Sequence, residues 1–237
     1  MTKSAIEEKF APFFEVLYED NHLIGVFKKS GVPVQGDSTG DTPLTEYVKE
    51  YLGEVYQKPG NVFCGLIHRL DRPVSGLTLL AKTSKGLERM NELFRERQIK
   101  KTYMAFVCAK PEQESGTLVH WLKKDNKTNK TSAHQKEVTD SLRAELSYTL
   151  LESTDRYHLL KVEPVTGRGH QIRAQLAAIG CSIKGDLKYG APRSNPDGSI
   201  SLHAYQLDFV HPIKNEALQI RCPLPSSEPW KFLKGTF

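Results

Sequence analysis

The sequence predicts an α+β fold: a single mixed domain around a mostly antiparallel sheet with flanking helices. Three observations lead there. Apolar runs of strand length outnumber helical patterns, short polar turns join consecutive runs as hairpins, and no strand–helix–strand unit recurs.

Residues 1–13 have mixed charge and read as a loosely held lead-in. Strands are expected at 14–18 and 22–27 on either side of the turn Glu19-Asp20-Asn21, and residues 28–34 read as a loop or edge. Leu44, Tyr47, Val48 and Tyr51 recur at three- and four-residue spacing. A helix is therefore expected to about Leu52, with Thr42 as its N-cap and Pro43 in the first helical position. Gln57-Lys58-Pro59-Gly60-Asn61 breaks the chain before a short apolar run at 62–67, and a second run follows at 77–81. The next helix starts at Thr83 or Ser84 and carries Leu87, Met90, Leu93 and Phe94 on one face. Further strands are expected at 101–107, 117–122, 144–151 and 157–162. A third helix follows Gly169, with Ile172, Leu176 and Ile179 on one side and Gly180 as its stop. Two late strands, 202–210 and 217–221, complete the pattern.

With 237 residues the chain has enough length for one sizeable core or two small domains. It is 38% hydrophobic and 26% charged, and it has neither an apolar run of bilayer-spanning length nor the apolar stretch of a secretory signal. A cytoplasmic location is expected, with no membrane association. Cys64, Cys108, Cys181 and Cys222 lie far apart in or beside apolar stretches and read as reduced, buried thiols. The eight histidines offer no zinc-protease or zinc-deaminase spacing, and no metal site is expected. The formal charge of +5 leans only mildly toward a polyanionic partner. Its distribution says more. Lys82, Lys85, Arg89, Arg95, Arg97, Lys100 and Lys101 face only Glu88, Glu92 and Glu96 in one stretch, and a second basic excess runs from Trp121 to Arg143. Such segments suit phosphate contacts, and equally suit solvated faces.

The most informative stretch is His68-Arg69-Leu70-Asp71-Arg72-Pro73-Val74-Ser75-Gly76. It places one carboxylate between two arginines, whose charge favours the ionised form, ahead of a turn of small residues that leaves room for a substrate. This segment resembles the signature of the RluA-like pseudouridine synthases, which isomerise uridine in structured RNA. Other segments support the resemblance in family order from residue 15 to about 225. They are Lys101-Thr102-Tyr103, Thr166-Gly167-Arg168-Gly169-His170-Gln171-Ile172-Arg173, Gly185-Asp186-Leu187-Lys188-Tyr189-Gly190 and Leu202-His203-Ala204-Tyr205. The family's pseudouridine synthase fold, with a bent central sheet, is what the resemblance implies for residues 14–237. The lead-in is too short for the separate N-terminal RNA-binding domain that many relatives carry.

The resemblance implies three catalytic residues: Asp71, Tyr103 and Arg173. As a carboxylate beside C1′ of the ribose, Asp71 is suited to attack C1′, to add to the uracil ring or to abstract the 2′ proton. Arg173 should pair with Asp71 and orient it, the alternative being a structural ion pair with Glu163. Tyr103 should pack on the flipped base, the alternative being a core tyrosine, because a stacked uracil cannot reach a recessed acid. Arg69 matches the position that fills the gap left by that base. His68 reads as scaffold or RNA contact, and Arg72 and Lys101 as further RNA contacts. Arg168 and His170 suit phosphate binding or bracing of the signature loop. Val74 replaces a common threonine, and Lys28-Lys29-Ser30-Gly31 keeps only the lysine and final glycine of the family's Asn-Lys-Pro-x-Gly. The isomerisation implies no metal or organic cofactor. The implied partner is structured RNA, ribosomal or transfer, with no obligate protein partner evident. The basic helix and the hairpin at 123–136, whose tip at 123–133 is expected to order only on RNA, are the candidate docking segments. Two other readings remain open: an inactive RNA-binding protein of the same fold, and a glycoside hydrolase. The second lacks the paired carboxylate its chemistry needs.

Overall fold

The computed structural model describes residues 2–36 and 39–233, so the last four residues of the expected domain lie outside the described residues. The first elements in chain order are α1 (Lys3–Phe10), β1 (Phe14–Glu19), β2 (Leu23–Lys28), α2 (Leu44–Tyr56), β3 (Gly65–Leu66), β4 (Ser75–Ala81), α3 (Ser84–Arg95) and β5 (Lys100–Val107). There follow β6 (Ser115–Asp125), β7 (Lys130–His134), β8 (Leu142–Ser153), β9 (His158–Pro164), α4 (Gln171–Ala178), β10 (Leu202–Val210) and β11 (Ala217–Arg221). The chain divides into two compact units. One consists of the chain up to Ile99 with Ala204–Pro223, the other of Lys100–His203 with the chain after Pro223. Each is α+β, and their strands pair antiparallel, as the hairpin-rich pattern predicts.

In the first unit the strands run β1-β2-β4-β10, with β3 beside β4 and β11 beside β10. Both faces of this sheet are covered, so β2 is buried at all six positions and shows no alternation. Ile24, Val26 and Leu80 pack with Leu44, Val48, Tyr51 and Leu52 of α2, while Leu23, Phe27, Leu77 and Leu79 pack with Met90 of α3 and Ile220 of β11. Thr83 caps α3 as expected, its hydroxyl accepting the Gly86 N–H at 3.1 Å. The start of α2 differs from expectation. Pro43 is the N-cap; its ring has no hydrogen-bonding atom to offer, and the Pro33 carbonyl satisfies the Leu44 N–H instead at 2.8 Å. The helix also runs one turn further, to Tyr56, where Gln57 turns left-handed.

The lead-in likewise departs from expectation. Residues 3–10 form a helix whose Ile6 and Phe10 are buried, with Phe10 and Phe14 meeting the Tyr51 ring edge-on at 5.9 and 5.7 Å. Lys9 adds ion pairs to Glu50 and Glu54 on α2. Two apolar residues four apart are too weak a periodic signal to reveal so short a helix, which tertiary packing sustains.

Strand order in the second unit is β5-β9-β8-β6-β7, and α4 packs on it through Ala174, against Leu122 and Ala144. The basic segment is a built hairpin. Pairing of β6 with β7 continues from Trp121↔His134 to Asp125↔Lys130. Asp125 closes the remaining turn by accepting the Lys127 N–H and the Thr128 hydroxyl, each at 2.8 Å. Periodicity fails there because both faces near the tip are wet. All four cysteines are free, two buried and two partly so, and burial pushes the Cys64 thiol up to about 12. No helix among the described residues is long and apolar enough to cross a membrane.

Gly76 has a role in packing. Its φ is +121°, and an added Cβ would lie 2.4 Å from the Ala204 carbonyl oxygen and 2.5 Å from its nitrogen. The space that the small residue leaves is taken by the chain's own backbone. Gly76→Ala is expected to cost about 3 kcal/mol in chemical denaturation, combining overpacking with a left-handed strain. Phe10→Ala is expected to cost about 3–5 kcal/mol by the same measurement, since the ring leaves a cavity in the core. Loss of less than about 0.5 kcal/mol would mean that α1 is not part of the cooperative unit.

Candidate active site

The signature segment leaves the core of the first unit at Ile67, and alternate anchoring fixes its path. Ile67, Leu70 and Val74 are buried, Arg69 is exposed, and Asp71 and Arg72 are half-buried. The Val74 N–H donates to the Asp71 carbonyl at 3.0 Å, making a tight turn at 71–74. Val74, which stands where threonine is common, is 2% exposed. His68 lies under the loop. Its Nε2 accepts the Leu79 N–H at 2.9 Å and its ring stacks on Phe94 at 5.2 Å, which fixes a neutral ring with the proton on Nδ1. That geometry is scaffold.

Lys28, which sequence reasoning noted only as a motif remnant, is the main brace of this turn. Following the period of β2 it shares a face with Ile24 and Val26, and it is fully buried. Its Nζ donates to the carbonyls of Lys29 and Val32, both at 3.0 Å, and of Arg72 at 3.3 Å. Gly31 adds a backbone bond to the same Arg72 carbonyl at 2.9 Å. Burial lowers the Lys28 pKa to about 7, while the negative charge of Asp71 opposes the fall and Arg72 adds to it. The signal in the sequence was a lysine ending an otherwise apolar strand. The flanking arginines have partners outside the segment: Arg72 donates to Thr39 at 2.9 Å and pairs with Asp41, while Arg69 reaches Gln35 at 3.4 Å.

In the second unit Tyr103 stands on β5 opposite Val162 of β9, partly exposed between buried Thr102 and Met104. A purely core tyrosine would be buried. Lys101 donates to the Thr166 carbonyl at 3.2 Å. Helix α4 opens on His170, which is left-handed (φ 56°), and its first six residues are all buried. Three polar side chains are therefore drawn inside. Gln171 accepts from the Thr166 hydroxyl at 2.7 Å and the Arg168 N–H at 3.0 Å, and donates to the Glu145 carbonyl at 3.0 Å. Gln175 donates to the Leu118 carbonyl at 3.1 Å.

Arg173 is 5% exposed and forms a bidentate pair with Asp186, Nε to Oδ2 at 2.7 Å and Nη2 to Oδ1 at 2.9 Å. The structural alternative of a Glu163 pair does not hold, because Glu163 is taken by Lys100 and Lys161 at 3.1 Å each. Asp186 was legible only as one letter of a motif. The Tyr189 ring lies 4.9 Å from the guanidinium carbon, and its hydroxyl is 2.9 Å from His170 Nδ1. Arg168 is exposed, its Nε donating weakly to the Arg143 carbonyl at 3.4 Å.

Among the basic segments, α3 is partly committed to structure. Lys82 pairs with Glu19 in a nearly buried contact, and Arg89 caps the Pro212 carbonyl at 2.7 Å. Lys85, Arg95 and Arg97 remain exposed. On the hairpin, Lys124, Lys127 and Lys130 are all exposed. Among the described residues no group of His, Cys, Asp and Glu has the makings of a metal site.

Comparison with known proteins gives these features a context. The family described as RNA pseudouridylate synthase matches residues 22–178, a span holding Lys28, Asp71, Tyr103 and Arg173. The chain is 32% identical to the ribosomal large subunit pseudouridine synthase C of Buchnera aphidicola, over 88% of this chain and 67% of that protein. It is also 32% identical to the tRNA pseudouridine synthase C of Vibrio parahaemolyticus, over 94% of both chains. Its fold matches the human RNA pseudouridylate synthase domain containing 4 with a TM-score of 0.76, at 24% identity over 94% of this chain and 92% of that one. The chain belongs to the RNA pseudouridylate synthase family, on its RluA-like branch, whose members are isomerases that convert uridine in RNA to pseudouridine.

Proposed function

We propose that this enzyme isomerises specific uridines in ribosomal or transfer RNA, with Asp71 as the catalytic carboxylate acting on a nucleotide turned out of its stack. The two curated relatives above are named for those two RNA classes. In the reaction the bond from uracil N1 to C1′ breaks, C5 bonds to C1′ in its place, and the C5 proton is lost while N1 gains one. Nothing is oxidised or reduced. The observation that carries the reading is the turn at 71–74, which fixes the backbone of Asp71 against the buried Lys28 and leaves its side chain half-exposed. A rigid carriage for a carboxylate is what attack on a sugar or base demands.

In this reading residues 14–237 act as one catalytic domain, and Arg173 pairs with Asp71 to keep it ionised and oriented. Tyr103 packs on the everted base, and Arg69 takes the place that the base vacates. Arg168 and the hairpin lysines hold phosphates. His68, Arg72, Lys101 and His170 contribute to the RNA surface mainly by bracing it, given the bonds they make within their own units. The work takes place in the cytoplasm, where ribosomal and transfer RNAs are found.

Asp71→Asn is expected to reduce turnover by at least about 10³-fold while RNA affinity stays within about twofold, because phosphate contacts spread elsewhere supply the binding. Pseudouridine formation and filter binding on the same RNA check both halves. Parallel loss of both would assign Asp71 to binding instead. Mapping pseudouridines in cellular RNA with and without the gene identifies the substrate, and an unchanged map in every RNA would refute the function. Lys127→Ala is expected to weaken binding of all RNAs alike and to lower the slope of log affinity against log salt by about one.

A further inference from the structure

The segment Gly185–Gly190 has no part in the reaction described above, yet it touches both Arg173 and the β6–β7 hairpin. Toward α4, Asp186 is 1% exposed and both its carboxylate oxygens are occupied by the guanidinium edge. The face of that guanidinium rests on the Tyr189 ring. Toward the hairpin, the Tyr189 hydroxyl accepts the Thr131 N–H at 2.8 Å and shares a hydrogen bond of 2.9 Å with His170 Nδ1. Lys188 reaches the tip, donating to the Thr128 carbonyl at 3.4 Å and the Asn129 carbonyl at 3.2 Å. A second link runs from the Thr131 hydroxyl to the Gly169 carbonyl at 3.1 Å, beside the start of α4. The segment is short and tightly turned: the Tyr189 and Ala191 N–H groups both bond the Asp186 carbonyl at 3.0 Å, and Gly190 is left-handed. It therefore moves as one piece. A shift of the hairpin pulls on Tyr189, and the ring of Tyr189 and the carboxylate of Asp186 define where Arg173 points.

We infer that Asp186 and Tyr189 are positioning residues for Arg173, and that through them the placement of the β6–β7 hairpin sets the direction of that guanidinium. The inference rests on the role given to Arg173 above. RNA seated on the exposed lysines of the hairpin would thus also bring the catalytic arginine into line. Affinity for the RNA and alignment of the reacting groups share one mechanical connection.

The test compares Tyr189→Phe, which keeps the ring but removes both hydroxyl bonds, with Lys188→Ala, which loses only contacts to the tip. The side-chain Nε–H resonance of Arg173, assigned by its loss in Arg173→Lys, reports the guanidinium directly. Single-turnover pseudouridine formation at saturating RNA, with the RNA identified by the mapping above, reports the reaction. Tyr189→Phe is expected to shift the Arg173 resonance and to slow the single-turnover rate by on the order of 10- to 100-fold, with the RNA dissociation constant within about twofold. Lys188→Ala is expected to move the same resonance in the same direction by less. An Arg173 resonance unmoved in both variants overturns the coupling, and a moved resonance with an unchanged rate overturns the positioning role. Arg173→Lys separates this from the underlying reading. A wild-type rate in that variant removes Arg173 from the reaction whatever Tyr189 does. Asp186→Asn, provided it folds, is expected to give a larger rate loss than Tyr189→Phe.

Discussion

The ammonium of Lys28 is buried at the end of an otherwise apolar strand and bonded to three backbone carbonyls, one of them belonging to the residue after Asp71. Taking such a charge out of water costs several kcal/mol, and each bond to a charged donor returns about 1.5–3 kcal/mol. Three such bonds from one nitrogen offset the penalty only if all three carbonyls are held in place together. The lysine therefore ties the end of β2, the loop at 29–32 and the signature turn into one arrangement. Asp71, the carboxylate proposed to act on the nucleotide, stands on a turn with little freedom to drift.

The second unit applies the same logic with opposite partners. Arg173 and Asp186 neutralise each other in a planar two-bond fork, the geometry that suits guanidinium and carboxylate best. Around them, Gln171 is satisfied by the Thr166 hydroxyl, the Arg168 N–H and the Glu145 carbonyl, while Gln175 donates to the Leu118 carbonyl and keeps its Oε1 buried without a hydrogen-bond partner. Such a network is rigid because removal of any member leaves a buried group without its partner. Rigidity of this kind fixes the direction of a side chain such as Arg173 more sharply than apolar packing alone.

Much of this was legible in the sequence. Strand and hairpin patterns at 14–27, 101–107 and 144–162 carried enough period to predict the α+β class, and Thr83 announced the start of α3 correctly. The signature motif drew attention to Asp71 because two arginines beside one acid is an unusual local charge pattern. The partners those arginines hold elsewhere, Asp41 for Arg72 and Gln35 for Arg69, are contacts made across the fold and invisible to neighbouring letters. Helix α1 escaped notice because its stability lies in Tyr51 and α2, not in its own propensity. Lys28 and Asp186 were hidden for a related reason: burial of a charge is decided by what covers it, and only folding in three dimensions reveals the cover.

The close approach of Gly76 to Ala204 has a consequence for how the molecule is made. Strand β4 needs β10 as its neighbour, yet β10 emerges from the ribosome only after the whole second unit apart from its tail. During synthesis β4 is an open edge carrying unpaired amide groups, with the signature turn at its threshold. The first unit thus gains its final strand last, by a long-range closure of the sort that slows folding and invites capture by chaperones. Until that strand docks, the turn that carries Asp71 lacks its backing against Ala204.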